Sequence, residues 1–302
     1  MKNIINKLSI ILVVVLLHAC VKKVEVDIPY AGDKITMFSY INQDSNVYVR
    51  LSKSQRSAGY NNFPEITNGT VTLLENGTNV ATFTNATINN QNWYLSNFKA
   101  KPNKTYTVKA TAPNLTAVEG TETMVSKAKF KVDSFYLRQT TNATNYYVKL
   151  NLNDPIEENF YLLRIYNVDT NTLATGPRYL VKYDQSVRFI VNDIAENTSP
   201  FDILDPYGYT ELFFSDAKFN GKLLNIKLDL DGYYSNGINN NKIAVVLKTI
   251  SKSFYRYNLS LENQINNTGN PFSEPSQVFS NIKNGYGLVA TSTDSIYFKR
   301  QQ

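Results

Sequence analysis

Chemistry in this chain must be done almost without imidazole or thiol, because His18 is its only histidine and Cys20 its only cysteine. If the residues before Cys20 are removed as a leader and its thiol is modified, neither group remains. Ser-His-Asp and Cys-His catalysis, the usual zinc sites, haem ligation and internal disulfides are then excluded. Carboxylates are left. Glu157-Glu158, Asp202 with Asp205, and Glu211 could supply an acid–base pair for glycoside hydrolysis, which needs two carboxyl groups at a working separation and no histidine. Asp229-Leu230-Asp231-Gly232 resembles the opening of a calcium loop, but a third acidic position and the closing bidentate Glu are missing. A strand running into a turn, and solvated surface charge, explain these residues more simply. Aromatic rings on loops rich in Gly, Asn or Pro are the remaining candidates: Tyr60 with Phe63, Phe201 with Tyr207 and Tyr209, and Tyr233-Tyr234. Such rings stack on sugars or grip a protein partner. With 21 tyrosines in the chain, most must serve sheet packing instead. The sequence predicts no catalytic residue, no metal site and no cofactor.

Cys20 is set apart by the residues that precede it. Ile4 to Ala19 is nearly all apolar and comes after Lys2, with Lys7 near its start, the layout of an export signal. Its apolar core, Leu8 to Leu17, is shorter than the roughly 20 residues a spanning helix needs. Leu17-His18-Ala19-Cys20 resembles a bacterial lipobox, with leucine three positions before the cysteine and a small residue directly before it. His18 stands where that motif has a small residue. The resemblance implies cleavage before Cys20 and acylation of its thiol and new amino group. Residues 1–19 are therefore expected to be a signal peptide and 20–29 a lipidated tether. Removing Lys2 and Lys7 leaves a mildly basic chain without any block of five or six like charges, so nucleic acid is not an expected partner.

Beyond the tether the pattern is β. Val47-Tyr48-Val49-Arg50-Leu51 puts Val47, Val49 and Leu51 on one face, and Tyr106 to Ala110 repeats the alternation. Asn68-Gly69 and Asn76-Gly77 are dipeptides for tight hairpins on either side of a strand at Thr70 to Glu75. With Thr36 to Ile41, Asn92 to Ser96 and Leu115 to Thr123, about seven strands fall within roughly a hundred residues, the density of an immunoglobulin-like β-sandwich. This domain is expected over 30–126, with the boundary at Val125 to Lys129. A second β-rich domain, 127–302, comes next, with strands at Tyr146 to Leu152, Tyr161 to Val168, Val187 to Val191, Leu223 to Leu230 and Ile243 to Ile250. The last is continuously apolar apart from Lys248, as in a central strand buried on both faces. Phe254, Tyr257, Leu261 and Ile265 recur at helical spacing, which predicts one amphipathic helix near 253–266 covering a sheet edge or one end of this domain. The fold class is all-β.

The helix and the segment after it also carry a likeness. Phe254-Tyr255-Arg256-Tyr257 leads into Leu259-Ser260-Leu261-Glu262; Asn270-Pro271-Phe272-Ser273-Glu274-Pro275 comes next, and then Ser280-Asn281-Ile282-Lys283-Asn284-Gly285-Tyr286-Gly287. Together with Val24 to Pro29, Phe214-Ser215-Asp216 and Phe219-Asn220-Gly221-Lys222, these residues resemble the domain-of-unknown-function 4249 family of Bacteroidota lipoproteins. Pro271 and Pro275 would fix a turn after the helix, and Asn284-Gly285 with Gly287 would shape a final β-hairpin. The resemblance implies a lipid-anchored envelope protein, often encoded beside TonB-dependent outer-membrane receptors, with no catalytic residues to carry over. The expectation is a non-enzymatic binding or accessory protein at the outer membrane, beside such a receptor and with a possible glycan or peptide ligand. Many surface-displayed lipoproteins of this phylum resemble one another in carrying acidic residues directly after the anchoring cysteine, whereas here Val21-Lys22-Lys23 comes first and Glu25 and Asp27 only later, so the resemblance implies a periplasm-facing anchor at least as much as surface display. A carboxylate-dependent glycoside hydrolase and a structural or adhesive surface protein are the alternatives.

Overall fold

The period-two runs become strands, and their apolar faces decide how the sheets stack. The computed structural model describes residues 30, 32–43, 45–55, 63–139, 144–168, 181–182, 189–191, 211–230, 242–267 and 276–300. Eight strands come first: β1 (Ile35–Asn42), β2 (Val47–Lys53), β3 (Thr70–Glu75), β4 (Thr78–Thr82), β5 (Thr84–Ile88), β6 (Gln91–Ser96), β7 (Thr105–Ala112) and β8 (Leu115–Thr123). Next come β9 (Lys129–Gln139), β10 (Thr144–Asn153), β11 (Phe160–Val168), β12 (Val181–Lys182), β13 (Phe189–Val191), β14 (Leu212–Ser215), β15 (Leu223–Leu230) and β16 (Lys242–Ile250). Helix α1 (Lys252–Asn267) separates β16 from β17 (Ile282–Lys283) and the long β18 (Tyr286–Arg300).

One long sheet runs β12-β11-β16-β18-β1-β2-β6-β5, with β14 also paired to β11. Two shorter sheets, β17-β8-β7-β3-β4 and β13-β15-β10-β9, complete the all-β architecture. A first core, with Met37, Val49, Leu51, Leu73, Tyr106 and Val108 fully buried, joins the long sheet to the former. A second, with Phe135, Leu150, Ile226, Leu163 and Leu247 fully buried, joins it to the latter. β18 serves both. Its residues 286–292 pair in parallel with β1, and 292–300 pair antiparallel with β16. Val289 lies in the first core, and Tyr297 packs against the second.

A row of hydroxyls ties β18 to the segment that leads from β8 to β9. Thr291 Oγ1 donates to the Thr123 carbonyl at 2.7 Å, Thr293 Oγ1 to that of Ser126 at 3.3 Å and Ser295 Oγ to that of Ala128 at 2.7 Å. Carbonyls removed from water need such partners, which explains the three buried hydroxyl residues Thr291, Thr293 and Ser295 in this strand.

Two turns differ from the sequence expectation. Asn76 and Gly77 take φ of 48° and 85° between β3 and β4, as a primed hairpin requires. Asn68-Gly69 forms no such hairpin. Gly69 approaches Tyr94 instead, and a Cβ there would lie 3.1 Å from the ring oxygen. Tyr94 Oη accepts from the Gly69 amide at 2.9 Å and donates to the Ile66 carbonyl at 2.8 Å. Tyr94→Phe is expected to leave both groups unpaired and to cost about 1–3 kcal/mol, read as a lower urea midpoint at unchanged slope. The expected final hairpin is also absent: β17 pairs with β8, while β18 pairs with β1 and β16. Asn284, at φ 61°, and Gly287, at φ 112°, turn the chain from one sheet to another. Pro271 and Pro275 lie outside the described residues.

Helix α1 forms at the predicted place, capped by the Ser251 hydroxyl, which accepts from the Phe254 amide at 3.4 Å. It lies on the outer face of the long sheet, neither at an edge nor at an end. Phe254 meets Tyr40 edge-to-face, Tyr257 meets Phe38, and Tyr255 packs on Phe160 at 4.7 Å between ring centroids. Those sheet residues are the outward alternates of β1 and β11, so large rings there required a cover. The apolar stripe outruns that cover, and Ile265 is exposed.

Candidate functional site

Of the aromatic loop residues singled out from sequence, Phe63 is described. Its ring is 60% exposed. Cys20, Tyr60, Phe201, Tyr207, Tyr209, Tyr233 and Tyr234 lie outside the described residues. Beside Phe63 opens a groove of about 640 Å³ at the end of the first sandwich, lined by Asp33, Lys53, Pro64, Glu65, Asn68 and Leu115 among others. Asp33 pairs with Lys53 at 2.5 Å and Glu65 with Arg50 at 3.1 Å. Each of these two carboxylates thus faces a cation.

A second surface was missed by the sequence reading. On β1, β2 and β6 the core takes Met37, Val49, Leu51 and Tyr94, so their alternates stand on the outer face. There Tyr40 lies opposite Tyr48, and Tyr48 opposite Leu95. The Tyr48 and Trp93 rings meet edge-to-face at 6.3 Å. Helix α1 packs against the Tyr40 side through Phe254 and leaves Tyr40 42% exposed; desolvation of its hydroxyl, and secondarily the neighbouring Tyr257, push that hydroxyl up to about 12. Tyr48, Trp93 and the Arg50–Glu65 pair continue the face towards β5, a terminal strand of the long sheet. Such a surface suits stacking against a flat apolar group, with a guanidinium and a carboxylate at its border. The signal lay in the alternation: Val47, Val49 and Leu51 facing inward leave Tyr48 and Arg50 outward. Trp93 and Tyr94, being neighbours in one strand, cannot both enter the core.

The carboxylates proposed for hydrolysis are not brought together among the described residues. Glu158 pairs with Lys252 at 2.9 Å on the surface, and Glu211 pairs with Arg164 at 2.5 Å. Asp202, Asp205 and Asp231 lie outside the described residues. No group of three or more His, Cys, Asp or Glu side chains among the described residues could hold a metal ion.

Two acids that the sequence reading did not single out are buried instead. Asp154 accepts from the Tyr161 hydroxyl at 2.5 Å and from the Gly221 amide at 2.8 Å. Asp216 accepts from the Asn159 amide at 2.7 Å. They fasten the turn after β10 to the turn after β14, which is a structural task. Burial raises both carboxyl groups above the ordinary aspartate range, and the charge on Asp154 adds to the effect at Asp216. A group raised in this way stabilises the fold fully below its unfolded pKa and loses that contribution as pH rises through its folded pKa. Asp216→Asn stays neutral and keeps an oxygen for the Asn159 amide. Its stability relative to the parent is expected to improve in urea titrations as pH rises from below the ordinary aspartate range through the raised folded-state pKa of Asp216; a pH-independent difference would contradict the assignment.

These features define the class: an all-β protein of sandwiches that share one sheet, with an aromatic outer face and a polar end groove. The family model for Domain of unknown function (DUF4249) matches residues 21–296, and the chain belongs to that family. No curated protein matches the chain. One similar solved structure, of manganese lipoxygenase of Gaeumannomyces graminis with part of zonadhesin of Komagataella pastoris, is 9% identical, with 88% of this chain and 94% of that one covered at a TM-score of 0.22. Another, a Corynebacterium diphtheriae protein described as membrane-anchored, is 10% identical, with 74% and 55% covered at a TM-score of 0.20. Among the described residues no helix is long and apolar enough to cross a membrane.

Proposed function

We propose that this chain is a lipid-anchored, non-catalytic binding or accessory protein of a bacterial cell envelope, held at the outer membrane beside a transport receptor. The observation that carries this reading is Cys20 at the end of a basic-then-apolar leader, in the setting Leu17-His18-Ala19-Cys20. The folded part is compatible with it: the outer aromatic face and the end groove are surfaces for contact. The carboxylates at the groove are each paired with a cation. A Bacteroidota source and a TonB-dependent partner are implied by the family likeness.

Cell fractionation tests the anchor. Cys20→Ala is expected to move the protein from the membrane pellet to the soluble fraction, and a variant that still sediments in full contradicts the reading. Cross-linking before mild detergent extraction tests the partner. An outer-membrane receptor is expected to be recovered with the parent protein, and its repeated absence removes the accessory role.

A further inference from the structure

We propose that the end of the first sandwich from which the tether leaves rests directly on the lipid bilayer through Phe63 and Tyr286, so that the second sandwich points away from the membrane. This rests on the lipid anchor proposed above. The register places the relevant residues together. Tyr286 lies opposite Thr36, Thr36 opposite Ser52, and Ser52 bridges to Glu65. These four form one row across the end of the long sheet, roughly 14 Å wide at the usual strand spacing. Three residues before Thr36, Asp33 begins the unit that holds the strands. Phe63 adjoins this row through Pro64, whose carbonyl accepts from the Lys53 amide at 2.9 Å.

Two rings at this end are turned to solvent, Phe63 at 60% and Tyr286 at 45% exposure. The Lys34 ammonium stands 5.2 Å from the centre of the Tyr286 ring. Aromatic rings accompanied by lysines that can reach outward suit the headgroup level of a bilayer, where one part of the group is apolar and the other wet. Charge is not the driver, because Lys53, Arg50 and Lys283 are each matched by Asp33, Glu65 and Glu119.

Tether length makes a weak contact sufficient. Thirteen steps separate Cys20 from Asp33, a covalent reach of at most about 45 Å. An acyl chain in the bilayer therefore holds this end at high effective concentration against the lipid surface. β18 starts at the same end and runs about 50 Å to Arg300, first beside β1 and then beside β16. With the tethered end down, the second sandwich stands distal.

The test uses the acylated full-length protein in vesicles of phosphatidylethanolamine and phosphatidylglycerol. Because the one native cysteine carries lipid, a single new thiol can be labelled with an environment-sensitive fluorophore, at Thr116→Cys near the tethered end or at Arg300→Cys at the far end of β18. Headgroup-spin-labelled lipid is expected to quench the first probe at least threefold more than the second, with little dependence on salt. Adding Phe63→Ser and Tyr286→Ser to the Thr116→Cys protein is expected to lower its quenching to the distal level while the protein stays on the vesicles. Equal quenching at the two positions, or no effect of the double change, overturns the docked end alone. Protein that carries no acyl chain overturns the anchor and the docked end together.

Discussion

Gly287→Ala is expected to yield no stably folded protein. Gly287 has φ +112°, a region that L side chains rarely adopt. A Cβ there would lie 2.1 Å from the Met37 carbonyl oxygen and 2.8 Å from its carbon. Those atoms are backbone of β1, so they cannot move aside as a flexible side chain would. Relief requires parting β18 from β1, and Met37 is opposite Gly287 in that parallel pair. Loss of the pair opens both the first core and the strand shared with the second. The expected cost exceeds about 5 kcal/mol, comparable with the whole stability of many domains. Gly77→Ala is the control: its φ is +85°, but no atom lies within 4 Å of the new methyl group. That change should cost only about 1 kcal/mol, as a strained turn does. Soluble yield and circular dichroism of the two variants make the comparison. A Gly287→Ala protein as stable as Gly77→Ala would contradict the close approach of β18 to β1.

Phe135→Ala is expected to lower the unfolding transition of the entire described fold by roughly 8–15 °C, although the residue sits in the second core only. Phe135 is fully buried, and truncating such a ring costs about 3–5 kcal/mol in lost burial and residual cavity. The sandwiches do not melt separately in this account, because each takes its hydrogen bonds from a different stretch of β18. Thr291, Thr293 and Ser295 bind the connecting segment to the same strand. The chain holds one tryptophan, Trp93, and it lies in the first sandwich. Its fluorescence therefore reports on the half that does not contain the mutation. Fluorescence and far-ultraviolet dichroism should shift together. A Trp93 transition that stays in place while the dichroism transition falls would show that the two halves unfold independently.

Elements set by local pattern were legible in the sequence; pairings between distant segments were not. β2, β7 and β15 are set by alternation, and α1 by the spacing of Phe254, Tyr257 and Leu261. Ile243 to Leu247 is buried on both faces, as its unbroken apolar run implied. Nothing in a period of two says whether a strand's neighbour is parallel. The β1–β18 pair, joining Thr36 to Tyr286 across most of the chain, was therefore invisible. For the same reason Asn284 to Gly287 reads as a hairpin, since a tight turn between strands looks alike whether they share a sheet or change sheets. Gly120 and Gly285 mark the true geometry: a Cβ on the first would stand 2.6 Å from Val289 and on the second 2.4 Å from the Ile35 carbonyl. Among candidate sites, Phe63 was legible as an exposed ring. Tyr48 and Trp93 were not, because their ring pair stands on a sheet face, where an aromatic residue looks like ordinary strand packing.

Mass spectrometry of the intact protein extracted from membranes tests the central claim most directly, since it weighs the mature chain with whatever is attached to it. The account predicts a polypeptide that begins at Cys20 and carries the added mass of acyl chains. A chain that still begins at Met1, or one that begins at Cys20 with an unmodified thiol and amino group, would contradict it.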